Sequence, residues 1–225
     1  MKRLAFISVL MLLLVTFSGC HFGKLGSSVT GSGVRKTEKR DVTGFKAIET
    51  EGAFDVEATC QKPESFEIEA DDNILPLIQI EVRNGVLHLT AQKSYNSRQG
   101  VIVRLNVPNL DSVSATGVGK FRIQGLKNDN FEVHTTGASN VVASGETKNI
   151  EIHTTGAGSV DTHSLHAQKA NVSSTGAAKV DVYASEQLDA SVSGVGRITY
   201  SGEPKTVNKH VSGAATVSKR EESAY

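Results

Sequence analysis

A Thr-Gly or Ser-Gly pair recurs through the C-terminal half of this 225-residue chain, at Thr116-Gly117, Thr136-Gly137, Thr155-Gly156, Thr175-Gly176, Ser193-Gly194 and Ser212-Gly213. Successive glycines stand 20, 19, 20, 18 and 19 residues apart. Four residues after each glycine comes an apolar side chain: Phe121, Val141, Val160, Val180, Ile198 and Val217. Four before stand Val113, Val133, Ile152, Val172 and Ala190, with Lys209 breaking the series in the last copy. Six before stand Phe131, Ile150, Ala170, Leu188 and Val207, with Asp111 failing in the first copy. The residue after each glycine is Val or Ala. Such a register predicts two short strands per repeat on either side of a corner where glycine takes a positive φ. One repeat buries almost nothing alone. Stacked repeats would pair strand on strand at about 4.8 Å per layer and align the apolar ladders into one core. The fold class expected is therefore all-β, a parallel β-solenoid of about 19-residue repeats over 111–219. A β-sandwich or barrel also uses short strands at comparable spacing, but it does not demand identical corners at a fixed period.

The preceding segment, 41–110, switches to a period of two. Phe54, Val56 and Ala58 alternate with polar residues, as do Phe66 and Ile68, and Val101, Val103, Leu105 and Val107. Asn84-Gly85 between Ile80-Glu-Val82 and Val86-Leu-His-Leu89 is the signature of a type I′ hairpin. A short turn near Ile74–Leu77 is the one helical candidate, and Pro76 interrupts it. The composition agrees: aromatics make up 5% and Trp is absent, which favours a thin core of small and β-branched residues.

The N-terminus has a different character. Lys2 and Arg3 precede an apolar stretch from Leu4 to Phe17, too short for a membrane span of roughly 20 residues but suited to a signal peptide. It ends in Phe17-Ser18-Gly19-Cys20, which resembles a lipobox. Residues 1–19 are thus expected to be a lipoprotein signal peptide, with Cys20 the lipidated residue and the lipid (palmitate among its chains) the link to the membrane. His21, rather than Asp, follows that cysteine. This points to the outer membrane. Residues 20–40, rich in Gly and Ser and then in charge, read as a flexible tether spanning roughly 25 Å; 220–225 reads as a C-terminal tail. The formal charge is 0, falling to −2 without Lys2 and Arg3, so no electrostatic reason exists to bind nucleic acid. Cys60 ends an alternating run and is expected to face inward as a small hydrophobe.

Several outward positions could carry chemistry. Asp161 and Asp181 share one repeat position, with His163 beside the first, and two neighbouring carboxylates could serve glycoside cleavage or hold a metal ion. The equivalent positions elsewhere are Arg122, Val142, Thr199 and Ser218, so nothing further converges on them. His134 and His153 are also equivalent, next to Glu132 and Glu151; two ligands from neighbouring layers read as a polar outer ladder rather than a complete zinc site. No phosphate loop, H-E-x-x-H or G-x-S-x-G motif appears, and no catalytic residue, metal or cofactor is expected.

A set of segments in fixed order adds a family resemblance: Phe45-Lys-Ala-Ile48, Gly52-Ala-Phe54-Asp-Val56, Ala70-Asp-Asp-Asn-Ile-Leu75-Pro76, Asn106-Val-Pro-Asn-Leu110, the Thr/Ser-Gly-Ala/Val repeats, and Tyr200-Ser-Gly-Glu-Pro204. Together they resemble the "putative auto-transporter adhesin, head GIN domain" family over about residues 41–219. The resemblance implies a right-handed parallel β-helix and a cell-envelope location, and brings no catalytic residues. The resulting expectation is a non-enzymatic envelope lipoprotein offering its ladders to a protein or glycan. A carbohydrate-active enzyme built on the outward acids, or a structural periplasmic lipoprotein, are the alternatives.

Overall fold

The computed structural model describes residues 28–221. The expected signal peptide and Cys20 lie outside the described residues. Within them the chain is all-β, and no helix is long and apolar enough to cross a membrane.

The strands in chain order are β1 (Val29–Thr30), β2 (Arg35–Lys39), β3 (Ala47–Thr59), β4 (Ser65–Asp71), β5 (Ile78–Arg83), β6 (Val86–Ala91), β7 (Tyr95–Asn96) and β8 (Val101–Asn106). The repeat region supplies β9 (Ser112–Gly156), β10 (Ser159–Gly176), β11 (Lys179–Tyr183), β12 (Gln187–Gly194), β13 (Arg197–Ser201), β14 (Thr206–Gly213) and β15 (Thr216–Lys219). A 3-10 turn at Leu75–Leu77 carries Pro76 in its first turn, where a missing N–H costs nothing. Among the described residues, 13 strands join one mixed sheet.

The sheet is mixed rather than parallel throughout: beside the expected β5–β6 hairpin, β2 pairs antiparallel with β4 and β4 with β8. The β5–β6 hairpin turns on Asn84 (φ 52) and Gly85 (φ 77), as the type I′ signal predicts. From β9 onward the pairing is parallel and keeps the repeat register. Gly156 aligns with Gly176, Gly176 with Gly194, and Gly194 with Gly213. Val160 meets Val180, which meets Ile198, which meets Val217.

The reason for glycine at each corner is a close approach. The corner residues carry φ between 88° and 125°, and a Cβ on Gly176 would stand 2.5 Å from the carbonyl oxygen of Gly156. The same holds for Gly194 above Gly176, at 2.6 Å. A side chain would push the layers apart, whereas glycine lets backbone stack on backbone.

Inward positions are those the register marked. Val133, Ile152, Val172, Val141, Val160 and Val180 are buried, and the largest covered side chains, Phe54, Phe121 and Phe131, lie toward the N-terminal end. The position two before the glycine also faces inward, occupied by Ala115, Thr135, Thr154, Ser174 and Val192. Lys209, the exception in the apolar series, belongs to the last-paired strand β14. Its ammonium sits 5.2 Å from the Tyr200 ring centroid and donates to Val217 O at 3.3 Å, so the residue closes that end of the core. Cys60 is buried, and loss of solvation pushes its thiol up to about 11, keeping it un-ionised at neutral pH.

One expectation needs correction. The described part of the supposed tether is not a free linker: β1 pairs with β7, and β2 pairs with β4 over Arg35–Lys39. Its charges belong to an outer strand, where polar side chains on both faces discourage further pairing. The region 41–110, read as the N-terminal β portion of the same domain, reaches into the repeat stack itself. β3 inserts between β8 and β9, pairing with both in parallel, and its Gly52 aligns with Gly117.

Candidate functional site

Two clusters occupy the outward faces of the repeat strands. The first contains the carboxylates at positions 161 and 181. Asp161 and Asp181 are register partners across β10 and β11, as expected. Only Asp161 faces solvent. Its Oδ1 accepts from the His163 backbone N at 3.2 Å and lies 2.6 Å from His163 Nδ1, the two residues being two apart on one strand and thus on one face. Burial pushes the Asp161 carboxyl up, but the hydrogen bonds from the His163 side chain and backbone outweigh it and hold the group below its ordinary value. His163 Nε2 stands 3.0 Å from Ser164 Oγ, which extends the contact chain to the surface.

Asp181, between the inward Val180 and Val182 on β11, takes the outward side as expected but is covered there instead of facing solvent. It is 5% exposed, with Lys179 Nζ at 2.8 Å and an Arg220 nitrogen at 3.7 Å. Arg220 is brought there by its own backbone N, which donates to Tyr200 O at 2.7 Å and continues the ladder past β15. Each carboxylate is therefore taken by its own basic partner. The two carboxylates therefore stand in unlike surroundings, Asp161 partly open to solvent and Asp181 covered, rather than as two open groups side by side. His163, Tyr183, Ser201, Glu203 and Arg220 line a cleft of about 700 Å³ beside it.

The second cluster lies on β9. Glu132 and His134 alternate on the outward face, and Glu151 and His153 repeat the pattern one layer on. The two imidazoles stack, with ring centroids 4.9 Å apart and planes 10° from parallel. His134 Nε2 is 2.5 Å from Glu132 Oε1, and His153 Nε2 is 2.7 Å from Glu151 Oε1. All four are about half exposed. Reading the sequence found the shared register here but not that each histidine folds onto the glutamate two residues before it. The E-x-H spacing was the available signal, since a period of two places both groups on one face. The partners of Asp181 were missed because Arg220 lies far along the chain.

At the N-terminal end, Glu69 of β4 joins Arg104 of β8 at 2.9 Å and Arg35 of β2 at 3.1 Å. The Arg104 hydrogen bond leads in holding the Glu69 carboxyl below its usual range; burial opposes it and Arg35 assists. This network ties three strands together.

Comparison with known proteins completes the picture. No curated protein matches the chain. A crystal structure of a putative adhesin from Bacteroides fragilis is similar at a TM-score of 0.71 and 26% identity, covering 86% of this chain and 100% of that one. A putative adhesin from Parabacteroides merdae is similar in fold, with TM-score 0.55, 21% identity, and coverage of 86% and 99%. A protein from Parabacteroides distasonis described as a putative lipid binding protein shares the fold at TM-score 0.50 and 19% identity, covering 87% of this chain and 100% of that one. The family described as "Putative auto-transporter adhesin, head GIN domain" matches residues 44–204, which take in both the inserted strand β3 and the repeats down to Pro204. With well over half its length matched, the chain belongs to that family.

Proposed function

We propose that this chain is a non-enzymatic cell-envelope lipoprotein, attached to the outer membrane through Cys20, which presents a right-handed parallel β-solenoid to a protein or glycan partner. The observation that carries the reading is an exposed apolar edge. The residue after each corner glycine points to solvent: Val118 is 61% exposed and Val195 67%, with Ala138, Ala157, Ala177 and Ala214 exposed at the same position of the other repeats. A row of apolar groups kept in water at a fixed step is the kind of surface that contact with a partner would cover. Parallel pairing at offsets of 18 to 20 residues supports the solenoid, since one circuit of chain then returns to the next layer. The adhesin description of the family supports display at the envelope. The rival reading, a carbohydrate-active enzyme using Asp161 and Asp181, is disfavoured by the burial of Asp181 under Lys179 and Arg220.

Protease treatment of intact cells, with permeabilised cells as control, tests the display. Cleavage of the domain in intact cells is the expected result, together with loss of palmitate labelling and of membrane fractionation in Cys20→Ala. Protection until permeabilisation would overturn surface display.

A further inference from the structure

Among the described residues, Glu132, His134, Glu151 and His153 form the densest group of metal-ligating side chains. One ligand atom from each of Glu132, His134 and His153 lies within 4.8 Å of the other two, and among the described residues no other three such donors come as close. We propose that these three residues form a surface site for a divalent transition-metal ion of the zinc class, with Glu151 supplying a second carboxylate charge beside it.

The backbone does most of the positioning. Strand alternation sends position 132 and position 134 to the same face, and the 19-residue step sets His153 against His134. Imidazole and carboxylate are the donors that zinc accepts, at about 2.0–2.2 Å, so two ligands of one tetrahedral ion stand about 3.4 Å apart. The observed group already lies within 4.8 Å. Side-chain rotations that turn the two rings out of parallel and aim their nitrogens at one point close the difference, and both rings are part exposed, with room to make them. Binding would take the place of the contact between His134 Nε2 and Glu132 Oε1. Two neutral imidazoles and two carboxylates balance the charge of a divalent ion, whereas a single His–Glu contact such as His88–Glu49 (3.2 Å) offers half that set.

A second feature points the same way. Glu132 and Glu151 also line a groove of about 720 Å³ that contains Asp111, Asp129 and Asp189. Lys169 is the one basic residue in its lining and Lys148 pairs with Asp129 at 2.9 Å beside it, so the acids still outnumber the bases and the approach favours cations. Two histidines and one carboxylate leave a fourth coordination position open to water or to a donor from a partner.

Calorimetric titration with Zn²⁺ tests the proposal, using the full chain without a polyhistidine tag after removal of metal by EDTA and dialysis. One saturating ion per chain is expected, with affinity lowered at least about tenfold in His134→Asn and in His153→Asn. Glu132→Gln is expected to weaken binding as well, and His163→Asn to leave it unchanged. Thermal melting gives an independent readout: Zn²⁺ should raise the Tm of the native chain and not that of the His134→Asn/His153→Asn double variant. Absence of saturable uptake, or binding that survives unchanged in the double variant, would overturn the site.

Discussion

At the residue scale, the corner glycines decide whether layers can stack. Gly176 combines φ of 112° with a backbone carbonyl 2.5 Å from where a Cβ would stand, so Ala there adds a steric clash to conformational strain. Gly85 has φ of 77° but nothing within 4 Å of its Cβ position, so Ala adds strain alone. Gly176→Ala should therefore destabilise the chain by about 3 kcal/mol and Gly85→Ala by about 1 kcal/mol, read from urea midpoints. Equal losses at the two positions would show that the corner carbonyl is not the constraint. This contact is also why the repeats could be read directly from the chain: no other residue tolerates that position, so the glycine recurs where the flanking side chains drift among Val, Ile, Phe and Ala. The same register applied to Gly52 finds Ile48 four before and Val56 four after, so the strand β3 layer was written in the sequence too. It was hidden because the inserted segment between Thr59 and Ser112 breaks the period.

At the element scale, what could not be read is which strands meet. Local alternation marks β2, β4 and β8 as strands or leaves them ambiguous, but pairing across the chain is set by long-range fit that no window of sequence contains. The Arg35–Glu69–Arg104 network shows how that fit is held. Glu69 has its carboxyl lowered in the folded chain, chiefly by Arg104, and only Arg35 and Arg104 in their folded places can supply that interaction. A lowered folded pKa contributes stability above the ordinary Glu value of about 4.3, and the contribution is lost as pH falls through the folded value. Between about pH 5 and about pH 3, stability of the native chain should fall more steeply than that of Glu69→Gln, measured by urea unfolding at each pH. Parallel curves for the two proteins would mean that the network adds nothing to the docking of β2 and β4. The covering of Asp181 has the same origin: its partners Lys179 and Arg220 arrive from its own strand and from beyond β15, and only their convergence buries it.

At the scale of the whole molecule, charge sits at both ends of the ladder and apolar contact along its edge. β2 closes one end with Arg35, Lys36, Glu38 and Lys39, and Lys209 covers the core at the other. Open sheet ends marked in this way resist pairing with further chains, which leaves the sides, with their Val/Ala edge and the His–Glu ladder, as the surfaces available for recognition. Recognition along those sides requires that they be the faces of one regular stack. Spin labels on the exposed edge measure that directly. In a chain carrying Cys20→Ser and Cys60→Ala, one label at position 118 would be paired in turn with a second at 177, 195 or 214. A parallel stack rising about 4.8 Å per layer predicts backbone separations of about 14, 19 and 24 Å, increasing by one even step. Separations that fail to increase, or that increase unevenly, would contradict the stack and with it the face on which the proposed partner docks.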